Sequence, residues 1–121
     1  MGMTLEKAWP VPSTTHLREA TERLVKAFHP LRILVFGSYA RGEQRPGSDL
    51  DLLVVLPTVE NKRETAIAMR RVLSGLPVPY DVHVTTPDEI ERRGWIIGTL
   101  LREALAEGQV VYERPEYSEA S

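Results

Sequence analysis

The stretch Leu31-Arg32-Ile33-Leu34-Val35-Phe36-Gly37-Ser38, followed by Ser48-Asp49-Leu50-Asp51-Leu52-Leu53-Val54-Val55-Leu56, decides how this chain is read. Leu31 to Phe36 is short, apolar and rich in β-formers, and it is bounded by Pro30 and Gly37; it predicts a buried strand. Ser38 to Arg41 reads as a short helical turn directly after it. Gly42 to Ser48 is a polar loop carrying Gly42, Pro46 and Gly47. Asp49 to Leu56 predicts a second strand, closed by Pro57 and apolar on both faces beyond its start.

Outward from this centre the periods alternate between helix and strand. Leu17, Ala20, Leu24, Ala27 and Phe28 recur at helical spacing and predict an amphipathic helix over 15–28, stopped by Pro30. Glu60 to Leu73 reads as a helix closed by Gly75, and Tyr80 to Thr85 as a third strand. Thr86-Pro87-Asp88-Glu89 supplies a cap, a proline at the first helical position and a capping box for a short helix to Arg93. Thr99 to Glu107 predicts the last helix, with Gly108 as its C-cap, and Val110 to Tyr112 a final short strand. Trp95, Ile96, Ile97, Leu100 and Leu101 form a dense apolar stretch expected to be mostly core, with a partner contact through Trp95 as the alternative. The order is α-β-α-β-α-β-α-α-β, which implies an α/β (α+β) layer fold with a small mixed sheet and flanking helices.

The 121 residues make one domain over 1–121, with 1–12 and 114–121 expected as flexible ends. Fifteen basic against seventeen acidic residues give a net charge of -2, which argues against strong nucleic-acid binding. There are no cysteines, so disulfides and thiolate zinc sites are excluded. No apolar run approaches the ~20 residues that span a bilayer, and Met1 to Trp9 lack the apolar centre of a signal peptide. The expectation is a cytoplasmic protein with no membrane partner.

Three ambiguous signals carry the chemistry. Gly37-Ser38 stands where a strand turns into a helix, a place that presents backbone N–H groups to phosphate; alone it reads more often as a plain turn. Arg41, one turn on, adds a positive charge. Asp49 and Asp51, two apart in a strand, face the same side ~6–7 Å apart. Asp49 is explained as a turn acid after Ser48, but Asp51 is not, because aspartate is disfavoured inside strands. A bound cation relieves the repulsion between the pair, and Mg²⁺ suits one or two carboxylates plus substrate phosphates. Asp81 opens the third strand and is the candidate third acid. His83 shares its face; a lone strand histidine is more often structural than catalytic.

The run Phe36-Gly37-Ser38-Tyr39-Ala40-Arg41-Gly42, with Ser48-Asp49-Leu50-Asp51-Leu52-Leu53-Val54, resembles the signature of the DNA polymerase β-type nucleotidyltransferase superfamily. More closely, the chain from Leu31 to Tyr112 is similar to the minimal nucleotidyltransferases found beside HEPN-domain toxins. That resemblance implies a polymerase β-like fold and a Mg²⁺-dependent enzyme. It implies that Gly37, Ser38 and Arg41 hold the nucleotide phosphates, and that Asp49, Asp51 and Asp81 hold two Mg²⁺ and carry catalysis. It further implies ATP as substrate and a HEPN toxin as partner, modified by AMP on a tyrosine, so that the chain acts as a type VII antitoxin. Two other classes compete: a non-catalytic antitoxin that neutralises its partner by contact, and a small-molecule transferase acting on an aminoglycoside-like acceptor. The last class usually carries an added helical domain, for which the chain is expected to have no room.

Overall fold

The computed structural model describes residues 10–120. The first helix, α1, spans Thr14–Phe28. Ser13 caps it reciprocally: its hydroxyl accepts from the His16 backbone N–H, and the His16 ring accepts from the Ser13 backbone N–H at 3.1 Å. Leu17, Ala20 and Leu24 form its buried stripe. The chain leaves through His29, in the left-handed region at φ 50°.

Strand β1 follows at Arg32–Phe36, then a single helical turn, α2, at Gly37–Ala40, and strand β2 at Leu50–Val55. Helix α3 covers Lys62–Val72 behind an Asn61 cap, and strand β3 covers Tyr80–Thr85. Thr86 caps α4 at Pro87–Arg93, and Thr99 caps α5 at Leu100–Glu107. Strand β4 is Gln109–Glu113 and helix α6 is Pro115–Ala120. The expected elements are therefore present, with two shifts. Strand β2 begins at Leu50, which leaves Asp49 just ahead of it, and Pro115–Ala120 is helical where the polar sequence suggested a flexible end. A proline at the first helical position suits that start. The expected flexible segment 1–12 lies largely outside the described residues.

The four strands form one sheet in the order β3-β2-β1-β4. Strand β1 runs antiparallel to both β2 and β4, while β2 and β3 run parallel, so the sheet is mixed. Alternate side chains divide the interior in two. Ile33, Val35, Leu52, Val54, Val82 and Val84 pack under α1 and α3. Leu34, Phe36, Leu53 and Val55 pack on the other face with Ala104 of α5. Strand β2 is thus buried on both sides beyond its first residues, as its unbroken apolar run requires.

The expectation that Trp95, Ile97 and Leu100 lie in the core is corrected. Trp95 is 70% exposed, Ile97 86% and Leu100 44%. Helix α5 turns Leu101, Ala104 and Leu105 inward, an i, i+3, i+4 set that leaves Leu100 outside. Trp95 folds back on α4, its indole N–H donating to the Arg92 carbonyl at 3.0 Å. No described helix is long and apolar enough to cross a membrane.

Candidate nucleotidyl-transfer site

The end of β1 and the starts of β2 and β3 meet at one end of the sheet. Phe36 pairs with Asp51 across the antiparallel ladder, and Asp51 pairs with Asp81 across the parallel one. In-register residues of neighbouring strands point to the same face, so Asp51 and Asp81 stand side by side on the α4–α5 face. The single crossover through α3 produces this, since parallel strands both start at the same end of the sheet.

Gly37 adopts φ +73°, open to glycine and strained for other residues. A Cβ built there would fall on the Oδ2 of Asp51. The missing side chain is therefore the space that the Asp51 carboxylate uses. Turn α2 is fixed from two sides: the Tyr39 ring packs against the α1 core, and Gln109 of β4 donates to the Ala40 carbonyl at 3.0 Å. No side-chain hydrogen bond is seen for Ser38 among the described residues, which leaves its hydroxyl available.

Asp51 is partly buried, and its carboxyl is pushed up to about 6, first by burial and then by the negative charges of Asp49 and Asp81. The positive charges of His83 and Arg41 oppose that shift. Asp81 meets His83 Nε2 through its Oδ2 at 3.1 Å and lies 3.9 Å from the Arg70 guanidinium through its Oδ1. The His83 ring is seated against Phe36, centroids 5.8 Å apart. Asp81 and His83 thus share one face, as strand parity anticipates, and Arg70 of α3 is a further neighbour.

One contact was not foreseen. The sequence suggested free N–H groups at Gly37, but the Gly37 N–H donates to Glu107 Oε1 at 3.1 Å. The same carboxylate accepts from Arg41 Nη1 at 3.1 and 3.3 Å, and Arg41 also donates to Glu43 at 2.9 Å. Glu43 and then Glu107 hold the Arg41 guanidinium in its charged form. Nothing local in the sequence marks Glu107, which stands at the last turn of α5, 70 residues from Gly37.

The donor set suits a hard divalent cation. Its candidates are all carboxylate oxygens, and the Asp51 carboxyl, raised first by burial and then by the charges of Asp49 and Asp81, is one whose ionised form a cation would favour. As the side chains stand, no three acidic or histidine groups converge on one point among the described residues, because Asp81 is turned to His83. The fit is to Asp49 and Asp51, with Asp81 joining once it leaves His83.

A family model described as "Nucleotidyltransferase domain" matches residues 16–112. The chain belongs to the nucleotidyltransferase domain family. By family it is an enzyme that transfers a nucleotide, and its mixed sheet with flanking helices is the fold of that family. Solved structures agree on the fold. One protein of Sulfolobus solfataricus, described as a nucleotidyltransferase, shares 22% identity over 83% of this chain and 79% of its own, with a TM-score of 0.58. A MntA–HpeT toxin–antitoxin structure with a tyrosine replaced by alanine shares 18% over 86% of this chain and 77% of its own, TM-score 0.61. A toxin–antitoxin structure with AMP-PNP shares 19% over 84% and 77%, TM-score 0.59. No curated relative matches by sequence.

Proposed function

We propose that this nucleotidyltransferase moves AMP from Mg²⁺-ATP onto a tyrosine hydroxyl of a HEPN toxin, and so acts as its antitoxin. The observation that carries the reading is the register of Asp51 against Asp81 beside the open Cα of Gly37. Support for the partner comes from the toxin–antitoxin structures that share the fold, one holding AMP-PNP. One related structure of such a pair has two aspartates, two positions apart, replaced by glutamate, the spacing of Asp49 and Asp51 here.

Each residue has a task in that reaction. Gly37, Ser38 and Arg41 hold the β- and γ-phosphates, once Glu107 gives up the Gly37 N–H and Arg41. Asp49 and Asp51 hold Mg²⁺, with Asp81 completing the set. Bound Mg²⁺ supplies charge neutralisation on the phosphates. Asp81, once turned from His83 to the metal set, takes the proton of the acceptor hydroxyl. The acceptor oxygen bonds to the α-phosphorus as the bridging bond to the β-phosphate breaks, and pyrophosphate leaves. The rest is positioning in a partly dry site.

The test is direct. The chain is incubated with Mg²⁺-ATP and the protein encoded beside it, and the partner is weighed by mass spectrometry. A gain of one adenylate on a tyrosine is expected, and no gain would sink the proposal. The clasp of Glu107 on the phosphate donors keeps one second reading open, an antitoxin that works by contact alone. The Asp49→Asn, Asp51→Asn double variant separates the two, since it should stop neutralisation only if transfer is required.

A further inference from the structure

The turn that leads from α4 into α5 holds Trp95, Ile97 and Leu100 outward, and all three stand exposed. A lone exposed aliphatic side chain, such as Val11 or Val110, is ordinary; three large apolar side chains on one turn make a patch. The turn is pinned at several points. The Ile96 N–H donates to the Arg93 carbonyl at 3.1 Å, the Thr99 hydroxyl donates to the Ile96 carbonyl at 2.8 Å, and the Trp95 indole is tied back to α4. At its base, a Cβ on Gly94 would meet the Ile90 carbonyl at 2.5 Å and Leu105 Cδ1 at 2.9 Å, so α4 and α5 close on each other there. The fold itself therefore presents these side chains, and little backbone freedom is left to lose on contact.

A groove of about 470 Å³ joins this turn to the candidate site, since Leu100 and His83 both line it. Its rim is positive. Helix α3 contributes Lys62, Arg63 and Arg70. The one lining acid, Glu89, is pushed up by burial, but Lys62, Thr85 and the charge of Arg93 bring its carboxyl below the ordinary value. Lys62 is paired with that acid, and Arg70 sits 3.9 Å from Asp81. Arg63 and Arg93 have no salt bridge among the described residues. Unpaired positive charge thus stands beside an apolar patch, at the approach to the acids, in a chain whose net charge is -2.

That combination selects among occupants. Ile97, the most exposed of the three, and Leu100 are aliphatic and give a base nothing to stack on, and the net charge is wrong for a nucleic acid. A second copy paired about a two-fold axis would bring the same unpaired arginines to the contact, which like charge disfavours. A protein surface that is apolar at its centre and acidic at its rim complements both features.

We infer that this turn is the docking surface for the protein that carries the acceptor hydroxyl, received on an apolar patch of that protein with an acidic rim. Side chains make the contact: Trp95, Ile97 and Leu100 supply the buried area, and Arg63 and Arg93 face the acids of the rim. Docking there sets the acceptor protein against the groove that leads to His83 and Asp81. The inference rests on the transfer reading above for the nature of the partner, but it is tested by binding without catalysis.

The experiment titrates the full chain with the purified protein encoded beside it, by calorimetry and without nucleotide. Ile97→Asp should weaken binding about thirtyfold or more, and Arg63→Glu about tenfold. Ile97→Val and Arg63→Lys should keep it, and so should Val110→Asp, at an exposed valine of β4. A melt accompanies each variant, and if Ile97→Asp is destabilised the milder Ile97→Ser should still weaken binding about tenfold. Undiminished binding by the Ile97 variants overturns the inference, and so does a failure of the unaltered chain to bind. Self-association of the unaltered chain that Ile97→Asp abolishes overturns it in favour of a second copy. Loss of binding to a single-stranded RNA oligomer, with the partner still bound, overturns it in favour of a nucleic acid. Ile97-dependent binding with no adenylate on the partner leaves the docking surface standing and sinks only the transfer proposal. Transfer by Ile97→Asp at an unchanged kcat/KM does the reverse.

Discussion

At the scale of single residues, Asp51 sets function against stability. Its carboxyl has an ordinary value of 3.8 and titrates at about 6 in the folded chain. Between those values the folded chain holds a proton that the unfolded chain has released. Folding therefore weakens as pH rises from about 4 to 6 and stays weaker above, by on the order of 1 kcal/mol after allowing for solvent screening. Chemical denaturation of Asp51→Asn across that window should show a flatter profile and a higher midpoint at pH 7. The same variant should lose nucleotidyl transfer by about a hundredfold or more, because the charge that draws the cation is gone. Divalent-ion titration of the wild type should likewise show weaker binding at pH 5 than at pH 7, since protons compete for the carboxylate. Gly37→Ala tests the cradle: a strained φ of +73° and a methyl group on the Asp51 carboxylate should cost about 1–2 kcal/mol in a melt and weaken nucleotide binding. Glu107→Gln should tighten nucleotide binding several-fold by calorimetry, because the carboxylate holds the donors a phosphate needs. Weaker binding would show instead that Glu107 positions Arg41 for the phosphate. Asp51 was legible in the sequence because aspartate inside an apolar strand has no structural reason to be there. Glu107 was not, because a terminal helix glutamate followed by glycine looks like many others, and only the fold carries it to Gly37.

At the scale of elements, capping and parity did most of the work that the sequence makes visible. Thr86 accepts from the Glu89 backbone N–H and Pro87 opens the helix it caps, but the expected capping box is only half made, because the Glu89 side chain accepts from Thr85 and Lys62 instead of the Thr86 backbone. Replacing Thr86 with Ala should lower stability by about 1 kcal/mol in urea unfolding. Strand alternation put Asp81 and His83 on one face before any coordinate did, and the two are hydrogen-bonded there. Parity also sorts the apolar residues: Leu52 faces α1 and α3 while Leu53 faces α5. Leu52→Ala should cost about 2–5 kcal/mol, as a fully buried leucine under two helices. The apolar stretch after Gly94 was misjudged because density of hydrophobic residues was read without its phase. Only Leu101, Ala104 and Leu105 keep the helical stripe, and Trp95, Ile97 and Leu100 fall off it.

At the scale of the whole molecule, the order β3-β2-β1-β4 is what assembles the site. A sequence gives strands but not their neighbours, so the pairing of Asp51 with Asp81 could be expected only from the resemblance to known transferases. The parallel β2–β3 pair puts both strand starts together, and the antiparallel β1 brings its end to meet them. The Gly37 turn, Asp51 and Asp81 then lie in sequence across the sheet from β1 to β3.

The ladder that joins Asp51 to Asp81 also makes the gene sensitive to one class of lesion. An in-frame loss of a single codon between Ser74 and Pro79 that is taken up in the ladder draws β3 along β2 by one step. That step inverts the strand, sending Asp81 and His83 into the apolar layer beneath α3 and Val82 into their place. A two-codon loss preserves the facing but misaligns the pair. Codons added or removed in the loop after Val55 move Lys62 and its helix and leave the acids where they are. Variation among descendants of this gene should therefore accumulate in the second loop and be purged from the first.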